Sequence, residues 1–233
     1  MGYKDAYRDW LSWCDDAEKK ELLLLKDEKE IEDRFYRDLE FGTAGLRGIM
    51  GAGSNRMNRY NVRKATKGFA DYLQDTYGKR CQDGVIIAYD SRNNSADFAA
   101  EAAHVLCAAG IPVKFFTEPE PIPVLSFSVR HFRAAGGIVI TASHNPKEYN
   151  GMKLVGRGAA PLDPEGDFAR LADLARSGRF AVSERRGETR DFPEARAAYA
   201  RAIADFVDVS ALRPLTVLVN AGNGAHQDWT ATI

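Results

Sequence analysis

Ser143 stands in the string Thr141-Ala142-Ser143-His144-Asn145-Pro146, directly after the apolar run Ile138-Val139-Ile140. A serine presented on a loop at the end of a buried strand lies where open α/β sheets bind ligands. Its neighbours suit an anion: successive backbone N–H groups before Pro146, the side chains of His144 and Asn145, and cations at Lys147 and Lys153. A phosphate on Ser143 would carry roughly −1.5 to −2 charges near neutral pH. A cation ~4 Å away gains about 4 kcal/mol per unit charge pair at an effective dielectric near ~20, so a local basic cluster is worthwhile there. In an arbitrary loop the same residues form an ordinary turn, with Ser and Asn bonded to their own backbone. The surrounding sequence has to decide.

The elements that would position this loop can be read from periodicity. Residues 85–89 are a wholly apolar run of the kind buried on both faces of a sheet, and the Ala-rich residues 95–109 read as the next helix, closed by Gly110 and Pro112. Residues 113–116 repeat the strand signal, 123–132 the helix signal and 137–141 the strand signal, an alternation that predicts a layered α/β sheet. Upstream, residues 15–39 are charged, helical text with Leu22, Leu25 and Phe35 as a buried stripe. Residues 41–55 carry Gly at 42, 45, 48, 51 and 53 and are expected to form a loop. Asn58 is placed to cap a helix running to residue 77, with Val62, Ala65, Phe69 and Tyr72 on one face and Gly78 ending it. Downstream come expected helices at 164–176 and 192–206, then a last apolar strand at 215–219. Asn220-Ala221-Gly222-Asn223-Gly224 reads as a strand-to-helix turn. The expected division is a first domain over residues 1–208 and the beginning of a second, incomplete one over 209–233.

Over this longer text the chain resembles the α-D-phosphohexomutases, the phosphoglucomutase/phosphomannomutase family. The serine string, followed by Tyr149-Asn150-Gly151-Met152-Lys153, is similar to that family's phosphoserine loop. Phe41-Gly42-Thr43-Ala44-Gly45-Leu46-Arg47-Gly48 is similar to its first active-site loop, and Ala88-Tyr89-Asp90-Ser91-Arg92 to its second strand end. The resemblance implies a three-layer α/β sandwich with a mixed, mostly parallel sheet. It also implies a phosphosugar mutase that moves a phosphoryl group between the 1- and 6-hydroxyls of a hexose phosphate through phosphoserine and a bisphosphate intermediate. Carried over position by position, Ser143 is the phosphorylated nucleophile, Arg47 and Lys153 flank the reacting hydroxyl, and His144 lies beside the reacting phosphate. Thr43, Asn145, Lys147 and Arg92 are the expected substrate or phosphate contacts, while for Asp90-Ser91-Arg92 support of the serine loop is favoured over catalysis, Asp at a strand end also being a common helix cap. Since an Arg stays protonated, electrostatic clamping suits Arg47 better than base catalysis, and pairing with Asp90 is its structural alternative. Lys153 as a proton carrier needs a lowered pKa; otherwise it is a solvated surface lysine.

The same resemblance implies Mg2+ held through the Ser143 phosphate, and a hexose 1,6-bisphosphate activator. Yet the family's Asp-Gly-Asp-Gly-Asp-Arg metal loop, its sugar-selecting loop and its last domain are absent from these 233 residues. The expectation is therefore an N-terminal part of a mutase, poorly active alone, with exposed apolar surface that meets further domains or self-associates. The alternative is an inactive remnant serving as a binding module. A serine hydrolase is a third reading, weakened because His144 adjoins Ser143 and there is no G-x-S-x-G elbow.

Composition sets outer limits. With 45% hydrophobic and 28% charged residues the chain can bury a core, and 32 Lys+Arg against 33 Asp+Glu give no general attraction to nucleic acid or an anionic membrane. No run approaches the roughly 20 apolar residues of a membrane span and the start lacks a signal-peptide pattern, so the expected address is cytoplasmic. Cys14, Cys81 and Cys107 are odd in number and lack C-x-x-C spacing, so they are expected to be reduced and structural. His104 and His131 lie in helical text and are assigned no role.

Overall fold

In a computed structural model, which describes residues 2–42, 45–176, 192–225 and 229, the apolar runs become the middle of a six-stranded sheet. Its strands are β1 (Phe41–Gly42), β2 (Gly45–Ile49), β3 (Val85–Tyr89), β4 (Val113–Phe115), β5 (Gly136–Ile140) and β6 (Tyr149–Val155), in the spatial order β1-β2-β6-β5-β3-β4. β5 pairs in parallel with β3, and β3 with β4. The pairings β1–β2, β2–β6 and β5–β6 are antiparallel, so β2, β3, β4 and β5 point one way and β1 and β6 the other.

Every residue of β3 and β5 is buried because helices cover both faces. On one face Ile87, Ile138 and Ile140 meet Phe69 and Leu73 of α4 (Arg59–Tyr77), Leu106 of α5 (Ser95–Ala108) and Leu171 of α7 (Asp167–Arg176). On the other, Ile86, Ala88 and Val139 meet Val124, Leu125 and Val129 of α6 (Ile122–His131) and Ala195 of α8 (Pro193–Ala204). Alternate residues of one strand thus serve opposite layers, which is why the run shows no polar phase, and each buried Ile contributes about 1.5–3 kcal/mol. The result is the expected three-layer sandwich.

α4 begins and ends where its caps direct: the Asn58 side chain accepts from the Asn61 N–H at 3.0 Å, and Gly78 closes the helix at φ 53°. The charged text before it forms α2 (Asp16–Leu23) and α3 (Glu28–Phe35), preceded by α1 (Tyr3–Trp13), for which the sequence was read as no element. Trp10, Phe35 and Tyr60 interlock edge to face, and Leu22 is buried beside them, whereas Leu25 is only partly covered.

Two expectations are corrected. Residues 41–55 are not simply a loop, since they contain β1 and β2. The glycines there permit close approach of strands: Gly45 has φ 136°, and a Cβ on it would lie 1.9 Å from the Met152 carbonyl oxygen. Across the pair, a Cβ on Gly151 would lie 2.6 Å from the Leu46 carbonyl oxygen. Residues 215–219 are not a strand, because an apolar run becomes one only beside a partner that takes up its N–H and C=O groups, and the run adjoins none of the six strands. Leu215, Val217, Leu218 and Val219 are exposed.

Candidate functional site at the ends of strands 3 and 5

β5 delivers the chain to Thr141, and antiparallel β6 carries it back from Tyr149, so the serine string is a connection between two paired strands. Within it Ser143 is exposed and adopts φ 57°, a left-handed conformation that costs a non-glycine residue of order 1–2 kcal/mol. Two short bonds hold the turn: the Ser143 N–H donates to Thr141 Oγ1, and the Asn145 N–H to the Ala142 carbonyl, each at 3.1 Å. The His144 and Lys147 N–H groups meet no acceptor among the described residues.

The strongest support comes from β3's C-terminal end. The Arg92 guanidinium donates through Nη2 to the carbonyls of Ser143 (2.9 Å) and Asn145 (2.7 Å), and through Nη1 to those of Pro146 (2.8 Å) and Tyr149 (3.1 Å). Its Nε lies 3.3 Å from Asp90 Oδ2, while Asp90 Oδ1 accepts from the Arg92 N–H and from Ser95 Oγ. Ser95 in turn accepts from the buried Asn150 amide, which also reaches the Asn93 carbonyl. Arg92 was expected to meet phosphate or to support the serine loop; its fork is engaged with the loop's own carbonyls. Burial pushes the Tyr89 phenol above its ordinary 10.0, and as a neutral hydroxyl it donates to the Thr117 carbonyl at 2.6 Å, bracing the same strand end.

Ser143, His144, Asn145 and Lys147 line a cavity of about 1000 Å³ together with Thr141 and Arg92. Its far wall includes Glu120, a buried carboxylate that accepts from Trp229 Nε1 at 2.8 Å and pairs with Arg196 Nε at 2.9 Å. Arg47 on β2 and Lys153 on β6 line a second cavity of about 250 Å³, and Thr141 belongs to both linings. The link between them is Arg47 Nη1, which donates to Asn145 Oδ1 at 2.8 Å rather than pairing with Asp90. Thus the structure gathers Ser143, His144, Asn145 and Lys147, ties Arg47 to them, and sets Lys153 on a cavity shared with Arg47 and Thr141; Thr43 lies outside the described residues.

Sequence reasoning missed Asn150 and the pairing of Arg47 with Asn145; the only signal for either was membership of a long polar string around a strand end. A hydrolytic triad is not assembled: His144 Nδ1 lies 3.4 Å from Ser143 Oγ, and Asp90 faces Arg92 and Ser95. Among the described residues no three His, Cys, Asp or Glu side chains converge as cation ligands, and no helix is long and apolar enough to cross a membrane.

Residues 38–177 match the family described as phosphoglucomutase/phosphomannomutase, alpha/beta/alpha domain I. The chain belongs to that family. It is 38% identical over 157 residues to a phosphoglucomutase of Staphylococcus haemolyticus (strain JCSC1435), covering 67% of this chain and 28% of that protein. It is 37% identical over 166 residues to the human phosphopentomutase, covering 66% of this chain and 27% of that one. The chain thus spans little more than a quarter of the length of these curated relatives. A phosphoglucomutase/phosphomannomutase family protein from Burkholderia thailandensis superposes with a TM-score of 0.60 at 28% identity, over 75% of this chain and 37% of that one.

Proposed function

We propose that Ser143 carries a phosphoryl group and exchanges it between the 1- and 6-hydroxyls of a hexose monophosphate by way of a hexose 1,6-bisphosphate. The observation that carries this reading is the exposed Ser143 hydroxyl on a turn whose carbonyls are drawn away to Arg92, beside a large cavity bearing His144, Asn145 and Lys147. In the first half-reaction the P–Oγ bond of phosphoserine breaks, a P–O bond forms to a sugar hydroxyl, and that hydroxyl's proton passes to the departing Ser143 Oγ. In the second, the reoriented bisphosphate returns its other phosphoryl to Ser143 Oγ, whose proton passes to the sugar oxygen left behind.

Each side chain then has a physical task. Lys147 and the amides of His144 and Lys147, which meet no acceptor among the described residues, offset charge on the transferring group, since phosphoryl transfer rests on positioning and charge stabilisation. Arg47, a permanent cation held beside the turn by Asn145, clamps electrostatically, and Lys153 moves the proton. Phosphoserine oxygens are hard ligands that suit Mg2+. The described carboxylates do not complete such a site, Asp90 being committed to Arg92 and Ser95, so no step here passes through the metal.

The test is peptide mapping by mass after incubation with glucose 1,6-bisphosphate. One phosphoryl group on the Ser143 peptide, wholly lost in Ser143→Ala, is the expected result; undiminished labelling of Ser143→Ala overturns the reading.

A further inference from the structure

We propose that Arg92 is a positioning residue: it sets the left-handed turn at Ser143 by gathering the loop's carbonyls, and it does not bind the phosphate. The proposal deepens the phosphoserine reading and takes its functional meaning from it.

A guanidinium has five N–H donors in a planar fork. Here Nη1 and Nη2 serve four backbone carbonyls, those of Ser143, Asn145, Pro146 and Tyr149, while Nε faces Asp90. That leaves no donor direction for a phosphate oxygen. The charge is already matched by Asp90, so what Arg92 supplies to the loop is geometry.

The geometry has a definite consequence. With the carbonyls of residues 143, 145, 146 and 149 turned toward one guanidinium, the negative ends of those peptide dipoles are matched by its N–H groups. Among the described residues the amides of His144 and Lys147 meet no acceptor, which leaves them to an anion. The His144 amide directly follows the left-handed Ser143 at φ 57°, a placement that lets a backbone N–H face an anion, while the amides of Ser143 and Asn145 are taken up inside the turn. Ser143 therefore keeps an unfavourable backbone conformation because two of the four carbonyls held by Arg92, its own and that of Asn145, flank the turn. Asp90 fixes the fork in turn, through Arg92 Nε and through its bond to Ser95 at the start of α5.

Lysine cannot replace this arrangement, because one ammonium has three donors at one point and no fork. The experiment compares wild type, Arg92→Ala and Arg92→Lys in this chain by nuclear magnetic resonance. It reads the three-bond HN–Hα coupling and chemical shifts of Ser143 for its backbone conformation, and titrates inorganic phosphate on the His144 and Lys147 amides.

Positioning predicts that both variants lose the left-handed signature and bind phosphate ~10-fold or more weakly. Millimolar guanidinium ion should restore both properties to Arg92→Ala but not to Arg92→Lys, whose ammonium fills the space. The rate of Ser143 phosphorylation by glucose 1,6-bisphosphate should fall about 100-fold in both, as expected when a reacting group is displaced by ~1 Å. A phosphate ligand would behave otherwise: the Ser143 signature would persist, affinity would fall in Arg92→Ala, and Arg92→Lys would stay near wild type. That pattern, or an unchanged Ser143 and unchanged phosphate affinity in both variants, overturns the proposal. Lack of phosphorylation in wild type would instead count against the phosphoserine reading, while the backbone signature still decides the role of Arg92.

Discussion

The two halves of the sheet are held together differently. β3, β4 and β5 pair in parallel; β3 and β5 are buried along their whole length, with Ile86, Ile87, Ile138 and Ile140 in the core. β1, β2 and β6 pair antiparallel, carry accessible residues along their length, strictly alternating with buried ones in β2, and β2 and β6 approach closely through Gly45 and Gly151. The accessible positions of the second half carry Arg47 and Lys153, and the serine loop is the joint between the halves. Side-chain burial provides a stiff floor, while backbone contact leaves side chains free to face a cavity. A charged residue can stand on β2 or β6 without desolvation; on β3 or β5 it would have to be buried.

Breaking the first half should cost most. Ile138→Ala leaves a cavity between α4 and the sheet and should lower stability by about 4 kcal/mol, lost from the whole domain in one transition when measured by denaturant unfolding. Gly45→Ala places a methyl group against the Met152 carbonyl at an unfavourable φ and should cost about 3 kcal/mol. Hydrogen exchange distinguishes the two: in Gly45→Ala the amides of β2 and β6 should lose protection first while those of β3 keep theirs. Equal loss in all strands would mean that the halves are one cooperative unit.

The smallest effect concerns the helices that clasp the antiparallel side. Arg34 reaches Glu21, Glu30 and the Ala52 carbonyl, and Arg56 reaches Glu30 and Asp33, so α3 is tied to the segment entering α4. The hydrogen bond from Arg34 holds the Glu30 carboxyl below its ordinary 4.5. A depressed carboxylate adds stability that is fully present above its unfolded value and fades as the pH drops through the lower, folded one. Acidification from pH 5 should therefore loosen α3, seen as a change in Trp10 fluorescence, and Glu30→Gln should flatten that step. An unaltered acid transition in Glu30→Gln would place the acid-sensitive contact elsewhere.

The legibility of the chain follows the same division. β3, α4 and α5 could be read directly, because burial on two faces, an Asn cap and a terminal Gly each leave a local mark. β1 and β2 could not, because Gly45 marks a close approach to Met152, 107 positions away in sequence, and nothing local distinguishes that from a flexible loop. At the site, Ser143, His144, Asn145 and Lys147 stand close together in the text and were read together, and the structure sets them on one cavity. For Arg92 the sequence offered two roles, phosphate contact and support of the serine loop, and could not name its partners, which lie more than fifty residues downstream and are carbonyls that carry no side-chain signature. The run at 215–219 shows the converse error, an apolar pattern without a pairing partner.

By itself the sequence determined the layered α/β class, the strands of the parallel half, the main helices and the serine string, because each rests on local periodicity or on contiguous residues. The tertiary structure alone decided that glycine-rich text forms strands, that Arg47 meets Asn145, that Lys153 shares a cavity with Arg47 and Thr141, and that Arg92 serves the backbone. Those outcomes depend on which distant groups satisfy one another's hydrogen bonds, and no local spacing encodes that.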